Sequence, residues 1–143
     1  MRFETVSYYP DARLPERATK GSAGYDFFIA EPTTVPAHSI KLVPTGVKAY
    51  IEDGYYLQLA VRSSTPIKKG LVLANGIGII DSDYYNSIAS EGHIMFQLYN
   101  ITDEDVFLPE GERVGQGVFI KYELIDDDTT KNIRIGGLGS TTE

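Results

Sequence analysis

The chain has 143 residues, with 20 acidic and 13 basic side chains and a formal net charge of −7. A single domain of this size buries about two-thirds of its unfolded surface, so a real core is expected. The acidity argues against a nucleic-acid partner, which needs a basic groove, but leaves room for a small anion held by local positive groups or a divalent cation.

There is no Cys, which removes disulfides, thiolate chemistry and Cys-type zinc sites. With only His38 and His93, a multi-histidine metal site has little to be built from. Nothing reads as a signal peptide or a membrane span, so a cytoplasmic protein without a membrane partner is expected.

In chain order, strands are expected over 3–7, 25–30, 40–43 and 47–51. Asp53-Gly54 is a strong turn signal. Over 55–61 the chain alternates, with Tyr55, Leu57, Leu59 and Val61 on one face and Gln58 and Arg62 on the other. Further strands are expected over 77–80, 94–99 and 114–122, with a turn at Pro109-Glu110-Gly111-Glu112. No long helical pattern is present, and short strands broken by Gly and Pro predict an all-β sandwich or barrel. The barrel domain is placed at 1–125. The polar, glycine-rich stretch over 126–143 reads as a flexible C-terminal arm.

Several short segments carry candidate chemistry. Asp81 directly follows the apolar run Ile77-Gly78-Ile79-Ile80, which would hold one carboxylate rigidly; such a group can orient a water and take its proton. Alone, the segment reads first as a strand ending in an Asx turn. Arg62-Ser63-Ser64-Thr65 at a strand end could bind phosphate oxygens, or be a short capped turn before Pro66. Asp26 could help hold a hydrated Mg²⁺, or be a solvated turn acid. Gln116 could donate to a phosphate, or be an ordinary cross-strand residue. Gly-Gly-Leu-Gly-Ser-Thr over 136–141 lacks the Lys and the following helix of a P-loop. Asn100-Ile101-Thr102 matches a glycosylation acceptor, but nothing directs the chain to a secretory compartment. Asp103-Glu104-Asp105 and Asp126-Asp127-Asp128 read as solvated loop charges.

AGYDF from Ala23, VRSST from Val61, NGIGIIDSDYYN from Asn75, GERVGQ from Gly111 and GGLGST from Gly136 stand in one order along a short chain. Each is weak alone; together they resemble the trimeric deoxyuridine triphosphatase (dUTPase) family. The resemblance implies a jelly-roll-like β-barrel forming a homotrimer. In that arrangement the arm of one subunit closes a site built by the other two. It implies Mg²⁺-dependent hydrolysis of dUTP to dUMP and pyrophosphate, with Asp81 as general base. Asn75 and the backbone at Ile79 and Ile80 would read uracil, Tyr84 would pack on the deoxyribose, and Met95 would border the nucleotide. Arg62, Ser63, Ser64 and Gln116 would contact phosphates, and Asp26 would face Mg²⁺ through water. From the arm, Arg134 would reach the phosphates, and Leu138, Gly139 and Ser140 would cover the nucleotide.

The chain departs from the family in places. Tyr85 and Asn86 stand where many members have Gly, and the loop over 85–92 is longer than in the simplest members. That implies a loop or bulge beside the site and a place for a protein partner. Leu138 replaces an arm aromatic, Thr142 a usual Gly, and Arg134 is spaced differently from Gly136. The alternatives are a dCTP deaminase-like enzyme, which release of ammonia from dCTP would reveal, and a regulatory, protein-binding member of the same fold.

Overall fold

The computed structural model describes residues 1–135. All strand pairs within this part are antiparallel, as expected for an all-β chain. β1 (Arg2–Thr5) pairs with β5 (Val47–Tyr50), and β3 (Thr33–Val35) pairs with β10 (Val106–Leu108). β2 (Tyr25–Phe28), β11 (Arg113–Lys121), β6 (Tyr55–Ala60) and β8 (Gly78–Ile80) form a four-stranded sheet in that order. β4 (Ile40–Pro44), β9 (Met95–Asn100) and β7 (Leu71–Leu73) form a three-stranded one. The expected jelly-roll-like, all-β architecture is what these sheets build.

The period of two decides what is inside. Leu57 and Leu59 of β6 are buried, and Gln58 between them is half-exposed. Phe27, Val43, Val47, Leu71, Ile94, Phe96 and Leu98 complete one continuous core between the sheets. The Phe27 and Phe96 rings meet edge-on at 5.5 Å, a favoured aromatic geometry. β11 crosses this core with two glycines. A Cβ on Gly115 would lie 2.3 Å from the Phe96 ring, and one on Gly117 would lie 2.9 Å from both Leu57 and Phe27. The glycines therefore let the rings lie directly on the strand. The ladder with β2 also slips between Arg113 and Gly115, a bulge of the kind found beside functional sites.

Two expectations change. The turn expected before Pro66 continues into a short helix, α1 (Thr65–Lys69). Pro66 sits in its first turn, where a missing N–H is harmless, and Gly70 closes it at φ +65°. Asp26, read as a candidate solvated acid, is buried. The acids over 103–105 are exposed loop charges, as expected, and two of them also hold neighbouring groups. Asp105 Oδ1 accepts from the Ala37 N–H at 2.9 Å, and Asp103 Oδ1 lies 2.6 Å from His38 Nε2. Asn100 is fully buried, and its amide donates to the carbonyls of Val35 (2.9 Å) and Glu104 (2.8 Å). In the fold this side chain is closed to glycosylation. Among the described residues, no helix is long and apolar enough to cross a membrane.

Candidate functional site

The predicted residues gather around β6, with Gln116, Arg62, Ser63 and Ser64 at its end and Asp81 level with its start. At its end, Gln116 of β11 stands in register with Asp26 of β2 on one side and Ala60 of β6 on the other. Arg62, Ser63 and Ser64 follow directly where the chain leaves β6 and enters α1. The Gln116 amide donates to the Val61 carbonyl at 3.3 Å, and its Oε1 lies where a Cβ on Gly24 would be, 2.3 Å away. The AGYDF glycine is thus the space into which the glutamine fits.

Asp26 is compensated by two guanidiniums. Arg113 Nε donates to Oδ2 at 3.0 Å, and Arg62 Nε lies 3.9 Å from Oδ1. Arg113 was not among the sequence candidates, although it lies inside GERVGQ, three residues before Gln116. Among the described residues no cluster of three or more metal-ligating side chains exists. One buried carboxylate, partly engaged by arginine, does not make a protein cage for Mg²⁺. It does fit an outer role toward an ion that keeps its waters and takes phosphate oxygens.

Beside the middle of β6, β8 is an edge strand. One side pairs with β6, and the other side has no strand partner among the described residues. Such an edge offers a row of backbone donors and acceptors, and Ile79 and Ile80 lie on it. Asn75 stands in the turn that enters β8, toward the Ala60 end of β6, and is exposed.

Asp81 leaves β8 and caps a 3-10 turn (Ser82–Tyr84) without a side-chain capping bond. The Asx-turn reading therefore does not describe it. Its carboxylate is about half exposed (53 %), and Oδ2 accepts from Arg134 Nη2 at 2.6 Å. Arg134 Nε also donates to Asp83 Oδ1 at 2.7 Å, and the guanidinium carbon lies 5.9 Å from the centre of the Tyr84 ring. Its side chain is only 8 % exposed, while the carboxylates of Asp81 and Asp83 stay open to solvent at 53 % and 58 %. Tyr84 is buried, and its hydroxyl donates to the His93 carbonyl at 2.6 Å. Met95, half-buried, opens β9 two residues further on.

The loop over 85–92 is tied down at its base. Buried Lys48 of β5 donates to Asn86 Oδ1 (2.5 Å) and Glu91 Oε2 (2.9 Å). Glu91 also accepts from the N–H and hydroxyl of Ser7, at 3.0 Å and 2.7 Å. The ammonium and these donors hold the Glu91 carboxyl down at about 2. Tyr85 donates to Glu4 at 2.8 Å. His93 is buried, its Nε2 accepts the Gly46 N–H at 2.8 Å, and burial pushes its pKa down to about 4. The neutral ring is what the fold requires. Neither Lys48 nor His93 was singled out from sequence.

Leu57 is paired with Ile80, so Asp81 stands level with Tyr56, six residues before Arg62. Gln116 stands level with Ala60, four residues beyond Tyr56, so at about 3.3 Å per residue it lies about 13 Å from the level of Asp81 along β6, and Arg62 follows past the strand's end. Leu138, Gly139 and Ser140, with Thr142, lie outside the described residues.

The dUTPase family profile matches residues 10–142. Deoxyuridine 5'-triphosphate nucleotidohydrolase of Lactococcus lactis subsp. lactis is 49 % identical over 143 residues, covering 97 % of this chain and 95 % of that protein. The protein of the same name from Helicobacter pylori (strain P12) is 32 % identical, covering 99 % and 97 %. The crystal structure of dUTPase from Streptococcus mutans superposes with a TM-score of 0.86 at 54 % identity, covering 88 % of this chain and 99 % of that one. A mutant dUTPase from phage phi11 of S. aureus, described with a coordinated structural Mg(II) ion, shares the fold at 22 % identity and a TM-score of 0.72, covering 92 % of this chain and 98 % of that one.

Proposed function

Since the chain belongs to the dUTPase family, we propose that it hydrolyses dUTP to dUMP and pyrophosphate at sites shared between the subunits of a homotrimer. The observation that carries this reading is the placement of Asp81, an exposed carboxylate at the end of a short edge strand and beside a buried tyrosine ring. About 13 Å along β6 separates it from the level of Gln116, with Arg62, Ser63 and Ser64 past the strand's end. In this reading a complete site takes one group from each of two chains, as the family resemblance implies.

In this reading Asp81 orients a water and takes its proton as the water attacks the α-phosphorus. The edge of β8 at Ile79 and Ile80, with the Asn75 side chain, pairs with the uracil edge. A pocket that must satisfy its own polar groups in this way rejects cytosine, which would leave some of them unpaired. The Tyr84 ring, fixed by its bond to His93, supports the deoxyribose and leaves no room for a 2′-hydroxyl, and Met95 borders the nucleotide. Arg62, the hydroxyls of Ser63 and Ser64, and the Gln116 amide hold the phosphates, because phosphoryl transfer needs positioning and charge neutralisation more than covalent help. Mg²⁺, when bound to the phosphate oxygens, neutralises charge developing there, and Asp26 orients the waters on it. The arm over 126–143 closes the site, with Arg134, Leu138, Gly139 and Ser140 over the nucleotide. The contact of Arg134 with Asp81 and Asp83 must then open for the arginine to reach phosphate. The reaction belongs in the cytoplasm, where nucleotide pools are held.

Ile88, 86 % exposed on a loop pinned by Lys48, favours a second role for that loop in docking a protein partner. Deleting residues 88–89 and assaying turnover separates the two roles; lost turnover would tie the loop to catalysis and not to a partner.

The test incubates the protein and its Asp81→Asn variant with Mg²⁺ and dUTP, dCTP, dTTP or UTP, and measures pyrophosphate and ammonia. Pyrophosphate from dUTP alone, lost in the variant by about 10²-fold or more, is expected. Ammonia from dCTP would place the chain with the deaminases, and full turnover in the variant would remove Asp81 from the mechanism.

A further inference from the structure

Beside the Arg62 end of the site lies a cleft of about 300 Å³, between α1 and the turn that enters β11. Five of the chain's 13 bases line it: Arg13, Arg62, Lys68, Lys69 and Arg113. Phe28 forms part of the floor. The Arg13 guanidinium lies 3.8 Å from the centre of the Phe28 ring and that of Arg113 lies 5.8 Å from it, so the ring seats two cations.

The neighbouring carboxylates do not match this charge. Arg13 pairs with Glu16 at 2.9 Å, Arg113 with Asp26 at 3.0 Å, and Lys69 with Glu112. Lys68, exposed on α1, has no carboxylate within ion-pair distance among the described residues. Burial, and to a smaller extent the nearby Arg62, pushes the Lys69 ammonium below its usual pKa. A chain of net charge −7 thus gathers a local excess of positive charge around one concavity, and an anion bound there would relieve it.

We propose that this cleft is a site for inorganic pyrophosphate. The assignment rests on the hydrolysis reading, since pyrophosphate is what that reaction releases. Arg62 and Ser64 belong both to the candidate phosphate-binding group and to the wall of the cleft. A pyrophosphate leaving the nucleotide therefore passes into the cleft without leaving the basic field. At about 300 Å³ the cleft has room for two phosphoryl groups. Arg13, Lys68 and Lys69 grip the anion on the side away from the nucleotide.

The experiment titrates the full chain with sodium pyrophosphate by calorimetry, with sodium sulfate as the control anion, and repeats this on Lys68→Glu and on Arg13→Ala/Lys68→Ala. Both positions are exposed and outside the proposed catalytic set, so folding and the initial rate on dUTP should stay within twofold of the unmodified chain. Saturable pyrophosphate binding that weakens at least tenfold in both variants, with an equal rise in the product-inhibition constant, is expected. Equal affinity in all three proteins, or a sulfate affinity matching that of pyrophosphate, would overturn the site. Hydrolysis of dUTP without variant-sensitive pyrophosphate binding would sink the cleft and leave the reaction standing. Variant-sensitive binding by a protein that cannot hydrolyse dUTP would do the reverse.

Discussion

Replacing Gly24 by Ala tests whether the position of Gln116 matters to turnover. The new Cβ would stand 2.3 Å from Gln116 Oε1 and 3.3 Å from its Cβ. Ordinary contact begins near 3.4 Å, so the amide must withdraw by about 1 Å. The atom in the way is the far end of a flexible side chain, so the fold can absorb the change, and a fall in stability of about 1 kcal/mol is expected. The amide cannot absorb it without leaving the Val61 carbonyl that now orients it. A misplacement of about 1 Å at a positioning group can cost about 10²-fold in rate. The assay is steady-state dUTP hydrolysis paired with thermal unfolding at fixed chain concentration. Gly21→Ala serves as the control, because nothing lies within 4 Å of that Cβ. A Gly24→Ala enzyme with unchanged kcat/KM would refute the claim that Gln116 must sit where this glycine lets it sit.

Tyr84→Phe keeps the ring but leaves the His93 carbonyl without its donor, and should cost about 1–3 kcal/mol; an unchanged melting temperature would show that the hydroxyl does not fix the ring. His93 should make the protein acid-labile. Its folded pKa of about 4 lies below the usual value of 6.5, so its stabilisation is complete above pH 6.5 and is lost as pH falls toward 4. The slope of melting temperature over that interval should flatten in His93→Gln, and an identical slope would exclude this histidine as the cause. Glu91 acts in a lower window, losing its contribution as pH falls from 4.5 toward 2. Truncation before Lys131 should leave the fold intact and severely lower turnover, and unchanged kinetics would remove the arm from the reaction.

The strands with a clear period were legible from sequence. The alternation of β6 fixed its buried face, and the apolar run before Asp81 announced an acid held at a strand end. β3, β7 and β10 have three residues each, too few to show a period of two. The pairings at the site were not legible for a different reason. Arg113 meets Asp26 across 87 positions, Arg134 meets Asp81 across 53, and Lys48 meets Glu91 across 43. Strand register and loop path create such contacts, and no local pattern carries them. Lys48 shows this most clearly. A lysine within the short strand Val-Lys-Ala-Tyr would ordinarily point to solvent, but here it is buried because the loop over 85–92 returns over it. The departure that looked like an added loop of unknown effect is, in the fold, what supplies the lysine with its partners.

The length of β6 has a genetic consequence. If, as proposed, each site joins the Asp81 end of one chain to the Gln116 end of another, lesions at the two residues strike different composite sites. When the two defects sit on different chains, a mixed trimer still brings one undamaged base-bearing end against one undamaged phosphate-binding end. Two alleles that are each silent alone would then complement each other in a cell that expresses both. When the same two defects share one chain, that chain has no working end to offer a partner.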